Sequence, residues 1–168
     1  MAICKVCGKE LTLPVGDSKS VLGIVMEYPF PPDKPEVGRY KRESVTAREI
    51  LRRELIRVGI DVNLCRLTSV WMHTPSTSDR DFSCNLGEAI RAVKQCHVVL
   101  LLGSLPTETF LGMDVSEVGG LRVTSDLLPL PIYATKSPAD LFHGTLGEFR
   151  LALKQLSKSR EIKKYYGK

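Results

Sequence analysis

Hydrophobic and polar positions alternate along this chain in blocks rather than residue by residue. Val21-Leu22-Gly23-Ile24-Val25-Met26 is a short apolar run bounded by polar and proline-rich sequence. Such a run predicts a parallel strand buried on both faces. Residues 27–40, EYPFPPDKPEVGRY, hold four prolines and a glycine, so neither helix nor central strand persists there and a long loop at a strand end is expected. From Thr46 the pattern becomes helical, with Ile50, Leu51, Leu55, Ile56 and Val58 spaced among Arg and Glu and Gly59 at the C-cap. Val62 to Trp71 reads as a second strand, followed by the polar loop MHTPSTSDRDFS. A helix from about Asn85 to Gln95 leads into the apolar run His97 to Gly103, the third strand. Ser104 is placed to cap a short helix with Pro106 in its first turn. Residues 121–124 are read as a short extra strand or hairpin arm, Pro131–Thr135 as the fourth strand, and Thr145–Ser157 as the last helix.

Strands alternating with helices in this way imply right-handed crossovers. The expected architecture is a three-layer α/β/α sandwich around a central, mostly parallel four-stranded sheet. In such sheets ligands bind beyond the carboxyl ends of the strands. The loops after Met26, Thr68, Leu102 and Ala134 should therefore converge on one site.

A chain of 168 residues, 43% hydrophobic, has enough apolar surface for one core and predicts one domain. We assign residues 1–157 to it, with a basic tail over 158–168. No apolar run reaches the roughly 18 residues of a spanning helix, and MAICKVCGKE lacks the pattern of a signal peptide. A soluble, cytoplasmic monomer with no membrane partner is the expectation. The formal charge of +5 suits a polyanionic partner, and much of the excess lies in the tail, where it equally serves as a solvated helix end. Five cysteines without a secretory signal point to metal or cofactor ligation rather than a disulfide framework. Cys65 and Cys96 lie within or beside apolar runs and are read as core residues.

The chain runs from CxxC through a strand ending in an acidic-x-Pro loop, then VGR and a strand ending near TSV. A strand ending in LLG and a late Thr-x-x-Pro follow. In that order and spacing, over nearly its whole length, the chain resembles the iron–sulfur branch of the uracil-DNA glycosylase superfamily. The resemblance implies that fold and a DNA partner, single-stranded or with a flipped base. Met26-Glu27-Tyr28-Pro29-Phe30 stands where the family has Gly-Glu-Ala-Pro-Gly, which implies that Glu27 positions water against the sugar and stabilises the oxocarbenium-like state. Read alone, Glu27 is a polar residue leaving a strand. Pro35-Glu36-Val37-Gly38-Arg39 stands at Pro-Phe-Val-Gly-Arg, so Glu36 replaces a ring that would stack on the extruded base. Such stacking is worth roughly 1–3 kcal/mol, and Tyr28, Phe30 and Tyr40 are the nearby rings.

Thr68-Ser69-Val70-Trp71-Met72-His73 stands at Thr-Asn-Val-Val-Lys-Cys, giving Ser69 in place of the base-reading Asn. Thr135-Lys136-Ser137-Pro138-Ala139 stands at Thr-x-His-Pro-Ser, giving Ser137 in place of the His that stabilises the departing base. Lys136 is cationic, but an extended segment would point it elsewhere. For the metal centre, Cys4 and Cys7 match the early pair, Cys84 the fourth ligand, and His73 the third position. The implied cofactor is a [4Fe–4S] cluster, while three Cys and one His equally make a structural zinc set. Ser104 at a helix N-terminus, with Arg39 and Lys136, is a candidate phosphate contact; for Ser104, ordinary capping is the other reading.

Three functions follow as expectations. The first is a DNA-binding protein of this superfamily with weak, altered or lost uracil excision, a replication or repair accessory. The second is an active glycosylase that hydrolyses the N-glycosidic bond of uracil or a modified base. The third is a metal-stabilised α/β protein that acts through protein contacts.

Overall fold

The apolar runs become the strands of one sheet in a computed structural model, which describes residues 2–4, 8, 10–11, 13–27, 47–71, 83–138 and 146–166. A small antiparallel ribbon comes first, β1 (Ala2–Ile3) with β2 (Glu10–Leu11). β3 (Leu22–Met26), α1 (Ala47–Arg57), β4 (Arg66–Ser69), α2 (Ser83–Val93) and β5 (Val98–Leu102) follow. Then come α3 (Ser104–Leu111), α4 (Val115–Val118), β6 (Val123–Ser125), β7 (Leu128–Thr135), α5 (Leu146–Ser157) and α6 (Arg160–Tyr166).

The main sheet has the order β4-β3-β5-β7-β6. Its first four strands are parallel, with Ile24 opposite Leu67 and Leu100 and Leu100 opposite Tyr133, and β6 joins β7 antiparallel. The protein is thus α/β with a five-stranded, mostly parallel sheet and, among the described residues, six helices. That corrects the expected four strands. Pro129 and Pro131 lack N–H groups and made residues 128–130 read as non-strand. They are tolerated because the β6–β7 arm is short, irregular in register and at the sheet edge. Ser125 Oγ accepts from the Leu127 N–H at 3.1 Å and closes the arm's turn.

Strand alternation divides the core in two. Leu22, Ile24, Leu100, Leu102 and Tyr133 pack with α1, α5 and α6 on one face, through Leu51, Leu55, Phe149, Leu153 and Ile162. Val25, Val99, Leu101 and Ile132 pack with α2, α3 and α4 on the other, through Ala89, Val93, Phe110 and Val118. Helices on both faces are compatible with a three-layer α/β/α arrangement. Gly23 makes the second packing close: a Cβ there would lie 2.9 Å from Val93 Cγ1 and 3.1 Å from Cys96 Sγ.

Two further boundaries differ from the sequence reading. The strand expected over Val62–Trp71 begins only at Arg66, because Asp61 accepts from the Asn63 N–H at 2.9 Å and caps a 3-10 turn over Val62–Leu64. Within the tail, α6 folds back against the domain. Ile162 is buried, Ser159 Oγ accepts from its N–H at 3.3 Å, and Tyr166 donates to the Leu64 carbonyl at 3.0 Å. Among the described residues, no helix is long and apolar enough to cross a membrane.

Candidate functional site

The chain leaves β3 toward β4 on one side and returns to β5 on the other. Such a reversal point, here at the carboxyl ends of β3 and β5, is where open α/β sheets take their ligands. Glu27 is the first residue beyond β3 and is half-buried. The β3–β4 pairing runs on past both strands, with Val70 N–H donating to the Met26 carbonyl at 2.7 Å and Trp71 N–H to that of Glu27 at 3.2 Å. Glu27 is thereby held beside the buried Trp71.

Ser69 ends β4 and is buried. Its hydroxyl donates to the Trp71 carbonyl at 2.9 Å, which pins the turn at the strand end. With its single donor committed there, the Ser69 hydroxyl can offer a ligand only an acceptor.

Gly103 follows β5 with φ +102° and ψ 173°, a backbone region that is essentially glycine-only. Its N–H donates to the Thr135 carbonyl at 2.8 Å. A Cβ on Gly103 would lie 3.3 Å from Ser137 Cβ, so Ser137 is seated directly against this glycine. Gly103 itself occupies the N-cap of α3 with no side-chain cap bond. This corrects the expectation for Ser104, which is the exposed first residue of the helix rather than its cap. The local reason is Thr107, whose hydroxyl donates to the Gly103 carbonyl at 2.8 Å and holds that peptide from inside the helix.

Lys136 and Ser137, just beyond the end of β7, have different neighbours. Lys136 Nζ lies 3.7 Å from Glu148 Oε2 on α5, and Lys136 lines a separate cavity of about 230 Å³ with Ser116, Gly119, Gly120 and Ala152. The edge thus brings together Glu27, Ser69, Ser104 and Ser137 at the ends of four strands, and leaves Lys136 to the flank. Gly103 shapes the edge as the last residue of the LLG motif, while Thr107 and Trp71 shape it but drew no functional reading from sequence. A glycine between a run of leucines and a helix start was the one available signal. Tyr28, Glu36 and Arg39 lie outside the described residues.

Of the candidate metal ligands, Cys7 and His73 also lie outside the described residues, as does the Cys84 side chain. Cys4 is 1% exposed, and its carbonyl accepts from the Gly8 N–H at 2.9 Å, a bond spanning the CxxC interval. Cys4 is also near enough to Arg91 to raise that guanidinium's pKa electrostatically, after the larger effect of Glu88. Arg91 is seven residues, two helical turns, beyond Cys84 on α2. Among the described residues no group of three or more His, Cys, Asp or Glu converges as a metal set. Cys65 and Cys96 are buried in the core, and burial pushes their thiols up to about 12 and about 11. Thiols this reluctant to ionise are poor ligands and nucleophiles.

Compared with models of protein families and with curated proteins, the chain gives no significant match.

Proposed function

We propose that this chain is a DNA-binding protein of the uracil-DNA glycosylase type in which uracil excision is weak, altered or lost, acting as a replication or repair accessory. The observation that carries the reading is that Glu27, Ser69 and Ser137 all stand at or just beyond the carboxyl ends of strands of one sheet, β3, β4 and β7. A half-buried carboxylate at a strand end has the chemistry to orient water. Its two companions lack what excision also needs. The Ser69 hydroxyl, spent on the Trp71 carbonyl, cannot read donor and acceptor on a uracil edge together. Ser137 has no charge with which to meet that of a departing base.

In this reading Tyr28 and Glu36 flank the base, Arg39 and Lys136 contact phosphates, and the N-terminus of α3 at Ser104 supplies backbone N–H donors. Cys4, Cys7, His73 and Cys84 hold a [4Fe–4S] cluster or a zinc ion that ties the N-terminal ribbon to α2. The second reading, an active glycosylase for uracil or a modified base, draws on Glu27 alone.

The test is to incubate metal-replete protein with single-stranded DNA bearing one uracil, treat with alkali and look for strand cleavage, with Glu27→Gln alongside. We expect DNA binding whose affinity falls steeply with salt, and no cleavage. Cleavage that Glu27→Gln abolishes would establish the active enzyme instead. Loss of both cleavage and binding would sink both readings.

A further inference from the structure

The two helical layers differ sharply in charge. α1, α5 and α6, with Lys158 between the last two, carry ten Lys and Arg against four Glu, a net of +6. α2, α3 and α4 carry one Arg against three Glu, a net of −2. One layer therefore accounts for the chain's whole excess of +5, and all ten of its cations are exposed.

The centre of this surface is built around Glu54. Its carboxylate is 1% exposed and sits in the seam between α1 and α5. Arg150 donates to both its oxygens, at 2.8 and 3.1 Å, while Arg57 approaches to 3.5 Å and Arg53 to 3.7 Å. One carboxylate cannot neutralise three guanidiniums. It gathers them, fixes their orientation and leaves a local charge of +2 facing water. Arg150 and Lys154 stand four residues apart on α5, with Lys158 in the turn just beyond its end, and Arg53 and Arg57 stand four apart on α1. Helical geometry puts each pair in a row on its own helix. The layer's remaining acids do not blunt these rows: Glu49 pairs with Arg52 on its own helix, while Glu148 and Glu161 pair with Lys136 and Arg122 from outside the layer.

We propose that the α1–α5–α6 face is a second nucleic-acid surface, which binds the phosphate backbone independently of the carboxyl edge. Guanidiniums held in fixed orientation suit planar, bidentate phosphate contacts. That favours a nucleic acid over a lipid surface, for which flexible lysines and apolar anchors serve better. This inference does not rest on the glycosylase-type reading: a protein that releases no base can still bind here.

The experiment measures binding of a labelled single-stranded oligonucleotide by anisotropy, from about 50 to 200 mM salt. The test variant Arg53→Gln/Lys154→Gln/Lys158→Gln keeps the Glu54–Arg150 pair and with it the fold, checked by thermal melting. Loss of about three phosphate contacts should weaken binding at least tenfold and flatten the salt slope by about two, at roughly 0.7 per contact on a single strand. Lys19→Gln/Lys94→Gln, two exposed cations outside the layer, should change neither in comparable degree. Wild-type affinity and slope in the triple variant would overturn the proposal, as would an equal loss in the control or no oligonucleotide binding by the wild type. So would tighter binding to phosphatidylserine-containing vesicles than to DNA at the same salt.

Discussion

The helices on the two faces of the sheet are alike on the inside and opposed on the outside. Both layers bury an apolar stripe against the same strands, Phe149 and Leu153 on one side and Val93 and Phe110 on the other. Outside, one carries +6 and the other −2. Folding constrains the inner faces, because a strand covered on both sides needs apolar partners on both sides. It leaves the outer faces nearly unconstrained, since single exposed charges contribute little to stability. A charge difference of this size therefore says more about what each face touches than about how the sheet is built.

If the inner faces are equivalent, matched deletions on opposite sides should cost about the same. Phe149→Ala removes a fully buried ring from the basic side, and Ile132→Ala a fully buried side chain from the other. We expect losses of about 3–5 and about 2–5 kcal/mol respectively, each as one cooperative transition in denaturant. A biphasic transition in either variant, or a large loss confined to one, would show that the layers are not one folding unit.

Glu54→Ala sharpens the contrast between the outer faces. Removing the buried hub leaves three guanidiniums gathered around nothing. Breaking a buried ion pair costs roughly 3–5 kcal/mol, but these arginines reach water, with Arg150 43% exposed, so a loss of about 2–3 kcal/mol is expected. Sulfate should restore part of it by screening the stranded cations. On the opposite layer Glu88 pairs with the exposed Arg91 one turn away, and Glu88→Ala should leave the unfolding midpoint where it is. Equal effects at the two sites would mean that Glu54 is no more than another surface carboxylate.

What was legible in the sequence follows the range of the interactions involved. β3 and β5 are continuous apolar runs with proline, glycine or polar residues at their ends, and burial alone dictates them. α1 is fixed by its spacing and by Gly59, whose N–H closes the helix end on the Ile56 carbonyl at 2.9 Å. The start of β4 was missed because the Asp61 side chain competes locally for the backbone. The start of β7 was hidden by prolines that only an edge position excuses, whereas β6, at Val123–Ser125, overlaps the arm read over 121–124. The commitment of Ser69 to a carbonyl two residues on, and of Glu54 to an arginine 96 residues away, cannot be read from periodicity. Both depend on where the fold brings distant or buried groups.

The smallest expected effect concerns how the basic layer is fastened. Arg122, just before β6, forms a bidentate pair with Glu161 on α6 at 2.7 and 2.9 Å, clasping the helix that carries three of the layer's cations. The Arg122 hydrogen bonds pull the Glu161 carboxyl from its ordinary 4.5 down to about 2, against a smaller opposing effect of burial. A carboxyl depressed in the folded state contributes stability that is fully present above its unfolded pKa and lost as pH falls through the folded value. The clasp should therefore hold above about pH 4.5 and release progressively toward about pH 2. Because both groups are partly exposed, 39% and 18%, the energy is modest and the change local. Amide exchange across α6 should speed up on acidification through that window, and Glu161→Gln should show the faster exchange already at neutral pH. Glu54, also held below its ordinary value by Arg150, loses its charge in acid in both proteins, so the difference between them isolates the clasp. Parallel exchange profiles for wild type and variant would mean that Ile162 and Tyr166 alone hold α6, and that the basic layer keeps its third helix by apolar packing without help from charge.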